Sequence, residues 1–498
     1  MNQAWANLPL VLKVFALLFS NQWMGRWQKK WQTQKRLEQG PVPQGRNARR
    51  LAAREQQKQQ HKKPPAQGGF YQRIFSLRVT LWYLIYQRLN FDQTQAAVVV
   101  NLRGGGADRL GKRGRLKLSD RVRSVKTSAY NEARQRLPLE LLQAALGHLK
   151  GSLLKLVGLA AAPAAPPEPA QRTRQLLDGS TLALLVTPAL AQTYPPGSNQ
   201  SGASDWSLMR IVVGFCARSG AVLSALEGAM QCSEQTMAWT LIAAGAKFMV
   251  WIGDRNFGVW SVVAQAVRYQ QDVLVRLTKA RALKLIQGQP LQSGEQRLVQ
   301  WCPSRHDKTP PGTKRKPVSG RLIYVRLQKN GKWIDLWLFT TLDAKDYSVE
   351  LLVSWYGQRW QAELHFRSVK THMKMAELDV CTPTMARKEF YTGLLAYNLV
   401  RAVMWGAGER LEGGIKVISF SQARRVLLER LKTWGQSATD QDEWTEKLLE
   451  EVAQQTLPKR AKERPSEIRR VRHRRLKYPP LKGSRAAARA KDQSAKSG

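Results

Sequence analysis

The stretch YGQRWQAELHFRSVK, residues 356–370, decides how the rest of the chain is read. Tyr356, Arg359, Glu363 and Lys370 stand at offsets 0, 3, 7 and 14 within it. On one continuous α-helix, turning about 100° per residue, the four fall within a sector of roughly 60°. The spacing predicts a single helical face on which one carboxylate is ringed by a phenol, a guanidinium and an ammonium, with Arg367 close to the same line. Taken alone, such a face also reads as a solvated charged surface with Tyr356 at its edge. It becomes a working face if other carboxylates reach Glu363, because an acid can hold a divalent cation while neighbouring bases neutralise phosphate oxygens.

Upstream, RQLLDGSTLALLV (174–186) reads as a strand carrying Asp178, and LMRIVVGFCA (208–217) and AVLSALEG (221–228) continue it as a meander. CSEQTMAWTLIAAG (232–245) reads as a helix with Ser233 as N-cap and Gly245 as its stop. KFMVWIGD (247–254) then reads as a buried strand ending on Asp254. A meander, a crossover helix and a further strand give a mixed sheet in which the two acid-bearing strands can be neighbours. With Glu363 on a later helix, the expected fold class is α/β, an RNase H-like mixed sheet flanked by helices. Its first part spans residues 173–265 and its second 345–405. Between them, 266–344 reads as an all-β insertion: DVLVRL, QRLVQWC and RLIYVRLQKNGKWIDLWLFTTL are β-rich, with a hairpin turn at Lys329-Asn330-Gly331-Lys332.

Three carboxylates meeting at one point raise one another's pKa values. Two Mg²⁺ ions remove that conflict, one lowering the pKa of an attacking water or 3′-hydroxyl and the other stabilising the leaving oxygen. Asp178 would bridge the ions, with Asp254 and Glu363 holding one each, and Mn²⁺ is expected to substitute. Separately, Asp178 before Gly179 also reads as a turn residue and Asp254 as a strand-end cap.

Charge points to the partner. The 498 residues carry 80 Lys and Arg against 36 Asp and Glu, a net charge of +44. Residues 1–70 hold +11 of this and 458–498 hold +12, so +21 lies on the chain between and the body is basic in its own right. A surplus of that size implies a polyanion, nucleic acid foremost. Cys216, Cys232, Cys302 and Cys381 show no CxxC spacing, so neither a zinc site nor a disulfide framework is expected, and a reducing, cytoplasmic setting fits. Leu8–Phe19 is apolar but only twelve residues long, interrupted by Lys13, and reads as an amphipathic helix too short to span a bilayer.

The flanks organise as follows. Residues 1–69 read as a basic, largely disordered extension and 70–157 as a helical DNA-binding domain, from the periodicity of TLWYLIYQRL (80–89) and LPLELLQAALGHLKGSLLKLV (137–157). Gly106 to Lys112 imitate a phosphate-binding loop after AAVVV, but Arg113 stands where that loop needs a Ser or Thr. Residues 158–172 are an Ala/Pro-rich linker, 406–457 a C-terminal helical region and 458–498 a basic tail.

DGST at 178–181, IGDRNF at 252–257 and the Y-(2)-R-(3)-E-(6)-K pattern of 356–370 together resemble the signature blocks of DDE transposases of the insertion-sequence-4 family. The β-rich insertion between the second Asp and the Glu is similar too, and the likeness covers roughly residues 80–405, with a weaker echo at 477–490. The resemblance implies that Asp178, Asp254 and Glu363 are catalytic metal ligands, and that Tyr356, Arg359 and Lys370 grip phosphates near the transposon end. It implies cut-and-paste movement: nicking, hairpin formation, hairpin opening and strand transfer. Its substrates would be terminal inverted repeats and target double-stranded DNA, handled by a homodimer. It implies a Trp that catches a flipped base, matched by Trp337 in LWLFTTL, with Trp333 second and a buried core Trp the competing reading. Arg255, beside Asp254, reads either as a phosphate-orienting group or as a salt-bridge residue, His372 is a further contact to consider, and His365 falls on the side away from Glu363 and reads as structural. The rival functions are a catalytically silent DNA-binding derivative and an RNase H-like nuclease.

Overall fold

The computed structural model describes residues 20–38, 74–110, 117–199, 202–329, 332–433 and 441–458, with 487 and 490. The Leu8–Phe19 segment, the Asn330-Gly331 turn and most of the basic tail lie outside the described residues. The chain divides into two compact units, Met1–Leu149 with Gln422–Val452, and Lys150–Ser421 with Ala453–Gly498.

The second unit is built on one ten-stranded sheet. Its strands are β1 (Arg174–Leu184), β2 (Pro196–Asn199), β3 (Gly202–Cys216), β4 (Val222–Ala229), β5 (Val250–Gly253), β6 (Asp272–Arg276), β7 (Gln296–Trp301), β8 (Val318–Lys329), β9 (Lys332–Thr340) and β10 (Glu377–Leu378). The order is β2-β3-β1-β5-β6-β9-β8-β7, with β4 beside β3 and β10 beside β1. β1, β3 and β4 form the expected antiparallel meander. β5 then joins β1 in parallel and β6 joins β5 in parallel. Each parallel step requires a crossover, supplied by the helices Glu234–Ala243 and Trp260–Arg268. β5 is buried along its whole length, which is why VWIG reads as a continuous apolar run rather than an alternating one. This large mixed sheet flanked by helices is consistent with an RNase H-like core.

The β-rich segment differs from its expected separation. β6, inside residues 266–344, is an inner strand of the main sheet, and β9 pairs antiparallel with it from Leu274↔Thr340 to Arg276↔Leu338. The β7–β8–β9 meander therefore extends the sheet, covering an edge that β6 would otherwise leave open. One apolar core runs beneath the junction, including Leu177, Trp251, Phe257, Trp260, Val275, Trp337 and Phe339.

The helix Pro383–Gly408 is pinned to the β3–β4 turn. Asn398 pairs with both backbone groups of Val222, at 2.7 and 2.8 Å, and Arg401 donates to the Ser219 carbonyl at 2.7 Å. His365 sits behind this turn, buried beside the Phe215 ring, and burial and the Arg401 charge hold its pKa well below the ordinary value.

The first unit is helical, with Leu77–Leu89, Gln95–Arg103 and Ser128–Arg136 among its elements. AAVVV belongs to the second of these, so the strand that a phosphate loop must follow is missing there. Asn21–Glu38 is a helix, where a disordered extension was expected; Trp27 stacks on Trp31 and Trp23 on His148. Residues Gln422–Val452 join this unit instead of standing alone. Buried Arg424 donates to the Leu89 and Asn90 carbonyls at 2.9 Å each, satisfying the open C-terminal end of Leu77–Leu89.

Candidate active site

Two of the three acids are placed by the sheet. β1 and β5 run parallel with Leu177 opposite Gly253, so Asp178 and Asp254 follow side by side as β5 ends. The Asp178 carboxylate is about one-fifth exposed. Burial pushes its pKa up to about 6; the Gly179 N–H and the Arg359 charge oppose that rise, while Asp254 and Glu234 reinforce it. The Gly179 N–H donates to Asp178 Oδ1 at 2.8 Å, and the Asn256 N–H donates to Asp254 Oδ1 at 2.9 Å, so both carboxylates are tethered by backbone.

The segment 356–370 is helical, but not as one uniform helix. Val349–Gly357 ends at a glycine, and Trp360–Arg367 begins after a turn in which Arg359, Gln361 and Ala362 each bond three residues back. Beyond Arg367 the turn widens to a π-helical stretch, Ser368–His372, closed by the Met373 N–H on the Ser368 carbonyl. A tightened turn and a widened one change the angle per residue, so the ideal 60° face is not kept. Its partners meet nevertheless. Arg359 donates to Glu363 at 2.9 Å and stands 3.9 Å from Asp178, spanning the third acid and the first. Lys370 reaches Ser180 at 3.3 Å, two residues along β1 from Asp178 and hence on the same face. Burial lowers the Lys370 pKa, and it raises that of Tyr356, which is almost fully enclosed beside Arg359.

Glu363 is the exception in burial, with its side chain 43% exposed. Among the described residues no three His, Cys, Asp or Glu side chains form a ready-made cation cage. The donor chemistry still suits a divalent cation such as magnesium: Asp178 and Asp254 offer hard carboxylate oxygens, and a cation would offset the burial that, with the neighbouring Asp254 charge, raises the Asp178 pKa. Arg367 and Arg255 are exposed. His372 stacks on Phe420 with ring centroids 6.0 Å apart.

Trp337 stands on β9, where its carbonyl accepts the Leu277 N–H at 2.8 Å just past the end of β6. It is 6% exposed and stacks on Tyr324 with ring centroids 4.3 Å apart. Trp333, four residues earlier on β9, is 59% exposed with Arg326 over its ring at 5.3 Å. Glu234 went unread in the sequence because an acid in a helix's first turn is ordinary. Its carboxylate occupies the space a side chain at position 179 would fill.

Paired carboxylates, one within β1 and one just past the end of the parallel strand β5, with a basic helical segment against them, define a candidate RNase H-like phosphoryl-transfer site. The family model described as Transposase DDE domain matches residues 170–399, which hold β1, β5 and the whole 356–370 segment. Over 133 residues, 25% of this chain, it is 32% identical to the transposase InsG for insertion sequence element IS4 of Escherichia coli (strain K12). Over 165 residues, 32% of this chain, it is 24% identical to the putative transposase y4zB of Sinorhizobium fredii (strain NBRC 101917 / NGR234). The chain spans 30% and 43% of the length of these two curated relatives. Residues 170–399 are thus similar to a transposase DDE domain, and part of the chain is similar to a transposase of insertion sequence element IS4.

Proposed function

We propose that this chain is a DNA transposase that cuts and joins the ends of an insertion sequence, with Asp178, Asp254 and Glu363 as its catalytic acids. The observation that carries the reading is the adjacent Asp178–Asp254 pair with Arg359 spanning from Asp178 to Glu363. The three acids would hold two Mg²⁺ ions, which when bound supply Lewis-acid stabilisation of the attacking and leaving oxygens.

The chain's own groups bind and orient DNA. Arg359 carries a planar donor fork matched to a phosphate, and a phosphate engaging it competes with Glu363 for the same donors. That competition releases Glu363 towards the Asp pair as DNA arrives, coupling assembly of the acid triad to substrate binding. Lys370 holds a second phosphate alongside β1, and Tyr356 buttresses Arg359. Arg367, on the exposed side of the helix, continues the basic track. Base capture at Trp337 would require Tyr324 to leave its face, whereas Trp333 offers an open ring. Cleavage by hairpin formation, opening and strand transfer, on terminal repeats held in pairs by a dimer, completes the reading.

The test incubates the full chain with the repeats flanking its own gene and Mg²⁺. Nicked, hairpin-ended and joined products are expected. Asp178→Asn, Asp254→Asn and Glu363→Gln should each lower cleavage by about 10³-fold or more, the loss of several kcal/mol of charge stabilisation, while end binding stays near wild type. Cleavage surviving any of the three, or binding lost in all, would refute the assignment. Cleavage without joining would favour a nuclease, and binding without cleavage a silent derivative.

A further inference from the structure

Asp254 is held from outside its own strand. Its carboxylate accepts the Asn256 N–H at 2.9 Å, and Asn256 is in turn gripped by the first two residues of the helix Glu234–Ala243. Glu234 Oε2 accepts from Asn256 Nδ2 at 2.7 Å, while Gln235 Nε2 donates to the Asn256 carbonyl at 2.9 Å and to its Oδ1 at 3.3 Å. Donor and acceptor of one side-chain amide and the backbone carbonyl are all engaged, which fixes the turn after β5. The helix start is itself set, since Ser233 caps it by accepting the Thr236 N–H at 3.1 Å. Glu234 can reach Asn256 only because position 179 is glycine: a Cβ there would lie 2.2 Å from the Glu234 carboxyl carbon. Gly179 has an ordinary strand environment in every other respect, so this close approach is the reason it lacks a side chain.

We propose that Glu234, acting through Asn256, is a positioning residue that sets the Asp254 carboxylate for cation binding, and that Gly179 is small to admit it. The role is that of an outer-shell partner: it touches no reacting atom and orients a ligand that does. The inference rests on the reading of Asp254 as a metal ligand.

The experiment titrates the full-length chain with Mn²⁺, followed by the loss of free-ion paramagnetic resonance signal, and takes a thermal melt of each variant. Asp254→Asn serves as the reference loss. Glu234→Ala and Asn256→Ala should weaken Mn²⁺ binding about 10-fold or more, the usual size for an outer-shell partner, with melting still cooperative. Gly179→Ala, which pushes Glu234 aside while leaving Asp178, Asp254 and Glu363 unsubstituted, should do the same. Glu234→Gln keeps the accepting oxygen and should restore affinity to within about 3-fold of wild type. Wild-type affinity in Glu234→Ala, with affinity lost in Asp254→Asn, would overturn the inference and leave the site intact. Equal losses in Glu234→Ala and Glu234→Gln would overturn it too, by assigning the effect to charge. An unchanged affinity in Asp254→Asn would remove the cation site itself, and the inference with it.

Discussion

The sheet and the 356–370 segment hold their functional side chains by different means. Asp178 and Asp254 stand on strands whose neighbours are locked by ladder bonds and a continuous apolar core, and each accepts a backbone N–H. Glu363 stands on a helix preceded by a tightened turn and followed by a widened one, is half exposed, and is held by an ion pair with Arg359. Packing fixes a group whatever else is present, whereas an ion pair yields to a competing charge. The difference suits a site in which two acids are prepared in advance and the third arrives with the DNA.

Trp337 gives the largest effect by which to test the rigid half. It is enclosed between Tyr324 and the core beneath β9. Trp337→Ala should cost about 3 kcal/mol or more of stability, as truncating a buried aromatic does. Trp333→Ala, on the same strand but exposed, should stay within about 1 kcal/mol. Denaturant titration of the two variants separates them, and equal costs would mean that the β8–β9 hairpin is not packed as described.

The acids differ next in what their charge does to stability. The Asp178 pKa of about 6 lies above its ordinary 3.8. Between those values the folded chain keeps a proton that the unfolded chain has released, so this group's contribution falls as pH rises through that window and the whole cost is present above it. Asp178→Asn should therefore stabilise the chelator-treated protein at neutral pH by about 2 kcal/mol, with the gain fading towards pH 4. Glu363→Gln, removing one exposed i,i+4 partner, should change stability by no more than about 0.5 kcal/mol. Similar melting shifts for both would erase the contrast between the enclosed Asp178 and the exposed Glu363.

How far the sequence revealed this follows from how local each signal was. The Ser233 cap and the Asp178 strand are written in a few adjacent residues and appear where those residues imply, while the strand expected over 247–254 is shorter, Val250–Gly253, and leaves Asp254 just past its end. The register that sets Asp178 beside Asp254 follows once those strands are neighbours. The departures are of longer range. β6 reads like the β-strands after it, and only its burial between β5 and β9 places it inside the main sheet. Trp23, Trp27 and Trp31 lie one helical turn apart in a segment whose Gln, Lys and Arg content suggested disorder, yet the stacked rings give that helix an apolar stripe. Gln422–Val452 joins the first unit through bonds such as Arg424 to the Leu89 carbonyl, more than 300 residues away in sequence, where periodicity carries no information. The 60° face of 356–370 holds only for a uniform helix, which the chain does not form there. The side chains met because the tight and wide turns left Arg359 beside Glu363 and Lys370 beside β1.

Lys370 supplies the smallest effect and the one that best probes the helical half. Its ammonium is partly desolvated against β1 and bonds to Ser180 at 3.3 Å, and burial lowers its pKa, with no ion-pair partner among the described residues to oppose that fall. A cation in that condition gains most from a phosphate, which restores the solvation and charge balance that burial removed. Lys370→Ala should accordingly weaken binding to the transposon end and lower the slope of log affinity against log salt by about one unit, as expected when a single phosphate is no longer neutralised. The same substitution should leave Mn²⁺ binding at the Asp178–Asp254 pair unchanged, because that pair is held by the sheet. A fall in cation affinity alongside the DNA effect would mean that the helical segment and the sheet acids are one unit, and that Glu363 is not free to arrive after them.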